Sequence, residues 1–145
     1  MDLGLNEPQQ MLQNSVRQFL LVESSSDYVR EMETDTKGYT IEMWQKLAEL
    51  GWFGLPFPEE FGGAGGDFLD VCILLGEMGR TLLPGPFFSS VVLAGLTILD
   101  VGSEMQKREF LPRIASGELI ATMALTEASG RWDATGTVSY THLTL

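Results

Sequence analysis

Asp67-Phe-Leu-Asp-Val-Cys-Ile-Leu-Leu-Gly-Glu-Met-Gly-Arg80 is apolar on nearly every side when wound as an α-helix. Phe68, Leu69, Val71, Cys72, Ile73, Leu74, Leu75 and Met78 leave almost no polar face, so the helix is expected to be buried, not surface-lying. Asp67 opens it, and after the Pro84-Gly85-Pro86 break Phe87 to Leu99 is expected to form a second helix of the same character. Two neighbouring buried helices in so short a chain need a large cover: the rest of the chain, an oligomer partner or a long apolar ligand. Core packing is the simpler use of these side chains, and an acyl-type pocket between helices is compatible with them.

Working outward, the same local rules place more helices. Asn6-Glu7-Pro8-Gln9 reads as a helix start, with Asn6 as cap, Gln9 in the capping-box position and an early proline that needs no hydrogen-bond partner. Leu12, Val16, Phe19 and Leu20 then share one face of a helix expected to end near Glu23. Ser24 to Ser26 and Thr34 to Gly38 read as loops flanking a short helical turn around Tyr28 to Glu31. Thr40 caps a helix with a Trp44, Leu47 and Ala48 stripe, and Gly51 stops it. Ser103-Glu-Met-Gln106 is a further capping box, opening a helix expected to fray at Pro112 or just after. Residues 1 to 117 are therefore expected to be mainly α, with β structure confined to roughly 118 to 145.

Composition narrows the function classes. The 145 residues suffice for one ordinary domain, and 44% hydrophobic residues with mean hydropathy +0.07 describe a packed chain, not a disordered one. Twenty acidic against nine basic residues, a net charge of −11, argue against nucleic acid as a partner, because phosphate neutralisation needs clustered Lys and Arg. The single cysteine, Cys72, excludes an internal disulfide and is expected to be a core thiol, and the single histidine, His142, makes no metal site alone. No basic and apolar leader opens the chain, so a cytoplasmic location is expected. Thr81 to Leu99 is uncharged, but Pro84-Gly85-Pro86 and Ser89-Ser90 interrupt it, so no membrane span is expected. Gly62-Gly-Ala-Gly-Gly66 admits a phosphate-cradle reading, yet Gly-Lys-Ser/Thr is missing and Gly-x-Gly-x-x-Gly spacing fails at Phe68, which favours a tight irregular loop.

Glu118-Leu-Ile-Ala-Thr-Met-Ala-Leu-Thr-Glu-Ala-Ser-Gly-Arg-Trp-Asp133 carries the chemistry. Ile120 to Leu125 has the length and bulk of a buried strand, which ends at Thr126-Glu127 and turns through a small-residue loop. Such a junction can deliver one hydroxyl and a few backbone amides to a flat ligand. It follows Pro58-Glu-Glu-Phe-Gly-Gly-Ala-Gly-Gly66, Glu77-Met-Gly-Arg80 and Gly102-Ser-Glu-Met-Gln-Lys-Arg-Glu-Phe-Leu-Pro-Arg-Ile-Ala-Ser-Gly117. In that order and spacing the four segments resemble the amino-terminal half of the acyl-CoA dehydrogenases, over about residues 5 to 135.

The resemblance implies an amino-terminal helical domain over 1–117, the start of a β-rich middle domain over 118–137, and a tail over 138–145 that does not look like the family's continuation. It implies FAD as cofactor, an acyl-CoA as substrate, α,β-desaturation as the reaction, an electron-transfer flavoprotein or similar acceptor, and a homo- or hetero-oligomer. Thr126 matches the threonine whose hydroxyl reaches the flavin ring, Leu125 the backbone contact before it, and Met123 a position lining flavin and substrate. The family's glutamate base belongs to a later helical domain, so no catalytic residue is assigned here, and the chain alone is expected to be an inactive fragment. The sequence departs from the family at Ala128-Ser129-Gly130-Arg131-Trp132-Asp133, where Arg131 and Trp132 replace a glycine and a serine. Either Arg131 pairs with a phosphate while Trp132 stacks on an adenine, or the chain supports an active partner in a heteromeric dehydrogenase. A helical interaction module without a ligand is the alternative from another class.

Overall fold

The computed structural model describes residues 4–124. Its regular elements there are helical: α1 (Glu7–Glu23), α2 (Ser26–Thr34), α3 (Ile41–Glu49), a 3₁₀ turn (Glu59–Phe61), α4 (Phe68–Arg80), α5, in which a π-helical Phe88–Gly95 runs into an α-helical Leu96–Val101, and α6 (Glu104–Ala115). The mainly α fold expected from the sequence is observed. Among the described residues no helix is long and apolar enough to cross a membrane.

Capping chemistry sets most of the boundaries. Asn6 accepts from the Gln9 amide while Gln9 answers on the Asn6 amide, and Ser103 with Gln106 repeats the arrangement. Thr40 accepts from Met43 N, and Gly51 stops α3 in the left-handed region at φ 74°. Two boundaries differ from expectation. α2 is longer than a turn around Tyr28 because Ser25 caps it, accepting from Tyr28 N. α6 does not fray at Pro112 but runs on to Ala115: Ile114 and Ala115 are buried, and their burial outweighs the one hydrogen bond the proline omits.

α1 and α4 lie side by side and parallel, tied in register at three levels. Gln9 Nε2 donates to Asp70 Oδ1 (3.3 Å), Arg17 makes a two-pronged bridge to Glu77 (3.0 and 2.6 Å), and Ser24 Oγ donates to the Thr81 carbonyl (3.3 Å). Glu77 is buried yet charged: the Arg17 guanidinium holds its carboxyl below the usual carboxylate range against the opposing cost of burial, with Arg80 assisting at 3.3 Å. Parallel neighbours need a crossover, and residues 24–67 supply it. This stretch contributes much of the core, because Phe53 and Phe57 are wholly buried and Phe61 nearly so. Trp44 and Phe53 stack at 4.2 Å, and Trp52 meets Phe19 of α1 edge-on at 5.3 Å.

α4 and α5 depart from their expected uniformity. Val71, Ile73, Leu74 and Met78 are buried, but Phe68 and Leu69 are exposed and so is Cys72, which is therefore not a core thiol. A helix apolar on every side carries no phase information, so only its neighbours decide which face turns inward. In α5 the wholly buried Phe57 ring packs where a Gly95 side chain would be, 2.6 Å from an ideal Cβ.

Candidate functional site

The glycine-rich segment is architecture. Ala64, Gly65 and Gly66 donate their amides to the carbonyls of Gly54, Phe57 and Leu55 (2.8–2.9 Å), and Gly63 donates to Pro58, so these donors are spent inside the loop. A Cβ on Gly63 would sit 2.0 Å from the Phe57 carbonyl oxygen, which explains glycine there without a phosphate.

The segment that follows α6 is built differently. The helix closes on Gly117, whose carbonyl accepts from Trp44 Nε1 (2.9 Å), and Leu119 N donates back to the Arg113 carbonyl (2.9 Å). From there the chain has no regular element to residue 124, and its side chains alternate as on extended backbone: Leu119 and Ala121 pack on the core while Ile120 and Thr122 face outward. Ala121 N donates to the Oγ of wholly buried Ser90 on α5 (3.1 Å). Further along α5 the Thr97 hydroxyl donates to the Leu93 carbonyl (2.6 Å), and its oxygen lies 3.6 Å from Met123 Sδ. One helix therefore holds the segment at two points, and Met123 arrives partly exposed at its end.

A half-open apolar cavity of about 340 Å³ lies between α3, the end of α4 and the start of α5. Met43, Trp44, Leu75 and Met78 line its interior, while Leu82 and Phe88 stand exposed beside it. Leu82 is left-handed at φ 53°, the sole non-glycine residue with positive φ among those described. The cavity and the extended segment share a helix: Phe87 and Phe88 border the first, Ser90 and Thr97 hold the second.

Matching the family model described as acyl-CoA dehydrogenase, N-terminal domain, residues 6–118 account for most of the chain. This chain belongs to the acyl-CoA dehydrogenase family. A probable acyl-CoA dehydrogenase of Bacillus subtilis, YngJ, is 33% identical over 139 residues, covering 94% of this chain and 36% of its own length. The ChsE4–ChsE5 complex of Mycobacterium tuberculosis superposes with a TM-score of 0.81 at 28% identity, covering 90% of this chain and 36% of the matched one. An acyl-CoA dehydrogenase complexed with FAD from Bacillus anthracis superposes at 0.79 with 28% identity, covering 92% of this chain and 23% of that one. The chain thus spans about a third of the length of the curated acyl-CoA dehydrogenase it matches.

Of the cofactor-facing residues expected from the sequence, Met123 is placed, on the extended segment beside Thr97. Leu125, Thr126, Arg131 and Trp132 lie outside the described residues, as do the 125–137 part of the expected β segment and the 138–145 tail. Residues 118–124, where the expected β region begins, contain no strand. Ser90 was hidden from sequence reasoning, registering only as part of a polar interruption in an uncharged stretch. Ser89 and Thr97 put further hydroxyls on the same helix, so residue type alone does not single Ser90 out; its burial does, since a buried hydroxyl needs a partner.

Proposed function

We propose that this chain is the helical, cofactor-adjacent part of an FAD-dependent acyl-CoA dehydrogenase that desaturates an acyl-CoA thioester between its α and β carbons. The observation that carries the reading is the extended segment 118–124, pinned to α5 and leading directly into Leu125-Thr126. The described part fits a flavin in one respect: a partly exposed thioether on extended backbone offers an apolar edge to a planar ring. Met123, Leu125 and Thr126 are the residues proposed to hold that ring, with Thr126 donating its hydroxyl and Leu125 contributing backbone. The flavin, when bound, supplies the hydride chemistry. The protein residues position it: α5 holds the segment at Ala121 and Met123, and the half-open apolar cavity beside Phe87 and Phe88 accepts an acyl tail. Soluble electron acceptors such as an electron-transfer flavoprotein, and assembly with further subunits, belong to the same proposal.

A second reading is favoured by one departure. Arg131 and Trp132 stand where the family pattern has a glycine and a serine, and close backbone approach to a ligand favours glycine. The chain is then a supporting subunit of a heteromeric dehydrogenase. Thr126→Ala and Trp132→Ala in the full-length protein separate the readings by flavin content and by the rate of reduction with acyl-CoA. The first reading expects Thr126→Ala to lose a hydrogen bond worth about 0.5–1.5 kcal/mol and to bind flavin correspondingly less well. Unchanged flavin content and turnover in both variants of an active flavoprotein would remove this loop from the cofactor and favour the supporting subunit.

A further inference from the structure

Four polar side chains are buried among the described residues: Gln9, Ser24, Glu77 and Ser90. The first three are spent on one task, since Gln9 reaches Asp70, Ser24 reaches Thr81 and Glu77 holds Arg17, all between α1 and α4 along its length. Ser90 contributes nothing to that pair. It is wholly buried in the π-helical part of α5, and its Oγ accepts the Ala121 amide at 3.1 Å. A buried hydroxyl is retained against a desolvation cost only where a partner uses it, and here the partner is an extended backbone, not another helix.

We propose that Ser90 is a positioning residue: by accepting the Ala121 amide it sets the register of segment 118–124 on α5, and so fixes where Met123 meets the flavin. The proposal rests on the flavin reading above. An extended chain slides in steps, and a slip of one residue turns each side chain to the opposite face. Packing of Leu119 and Ala121 opposes such a slip, and the Leu119 amide is tied to the Arg113 carbonyl, so Ser90 adds the directional tie beyond Leu119. The Ser90 hydrogen bond is directional and accepts one amide. The Thr97 contact then places Met123 along the same helix, two residues beyond Ala121. Widened π-helical turns recur at functional sites, and in α5 the π-helical part carries this hydroxyl.

The test uses the full-length, flavin-loaded protein. Ser90→Ala leaves the Ala121 amide without an acceptor and is expected to weaken flavin binding about tenfold and to shift the flavin visible spectrum. Ser90→Cys retains a poorer acceptor of similar shape and is expected to fall between wild type and alanine. Ser89→Ala is the control, because that hydroxyl donates to the Pro86 carbonyl at 3.0 Å and not to the segment; it should leave affinity and spectrum unchanged. Wild-type flavin affinity and spectrum in Ser90→Ala overturn the proposal, and if that variant does not fold, a wild-type result in Ser90→Cys does so in its place. A wild-type protein that takes up no FAD is a different result: it defeats the flavin reading itself. Deuterium exchange at the Ala121 amide then decides the register claim alone, being faster in Ser90→Ala if the tie exists and unchanged if it does not.

Discussion

The α1–α4 face and the α5–segment face use buried polar groups in opposite ways. On the first, three ties spread along the helices lock two rigid elements together, and each could be weakened without losing the alignment given by the others. On the second, α5 reaches a strip of chain with no regular structure of its own through one buried hydroxyl and one sulfur contact, beyond the tie of Leu119 to Arg113 at its start. The difference separates two kinds of work. Redundant ties make a scaffold, whereas a sparse tie on an extended segment aims that segment.

The largest effect expected is common to both faces. Phe57 fills the core from the crossover and lies against Gly95 of α5, so Phe57→Ala should cost about 3–5 kcal/mol in unfolding free energy and loosen both regions at once. A loss confined to one face, read by site-resolved hydrogen exchange, would show that the two do not share a core. Glu77→Gln sharpens the contrast at a smaller scale, about 1–3 kcal/mol, because Arg17 loses its buried charged partner. The sign of its pH dependence follows from the lowered Glu77 value: its contribution is complete at pH values above the ordinary carboxylate range and is lost as pH falls through the depressed folded value. Glu77→Gln should therefore flatten the acid side of the stability curve, and an unchanged acid limb in denaturation at stepped pH would refute the clamp. Cys72→Ser is expected to have the smallest effect, within about 0.5 kcal/mol, because the thiol is exposed. Slow reaction of native Cys72 with a thiol reagent would contradict that exposure.

These elements show how far the sequence could be read. Caps are written in three or four adjacent residues, so Asn6–Gln9, Thr40 and Ser103–Gln106 fixed helix starts that the structure reproduces. The facing of α4 was not legible, since an apolar helix has no periodic polar stripe, and Cys72 turned outward because α1 covers the opposite side. The continuation of α6 past Pro112 depended on burial of Ile114 and Ala115 by residues distant in sequence. Of the candidate site, the bulk of Ile120 to Leu125 suggested a buried strand, whereas residues 120–124 form no strand and Ile120, Thr122 and Met123 are exposed, because one face alone of the segment meets the core. Ser90 was not legible, because a hydrogen bond between residues 90 and 121 leaves no local pattern.

The parallel setting of α1 and α4 also bears on how the chain is made. α1 is synthesised before α4, and its inward face, Val16 and Leu20, is wholly covered in the finished fold. Its partner is completed only after the entire crossover has been added. During that interval the apolar stripe of α1 has only crossover residues such as Trp52 to rest on and lacks α4, and closing so long a loop is entropically slow to recover. Of these two helices α1 is therefore the one longer exposed to wrong association, and its face is the one that a chaperone recognising apolar helix stripes would engage.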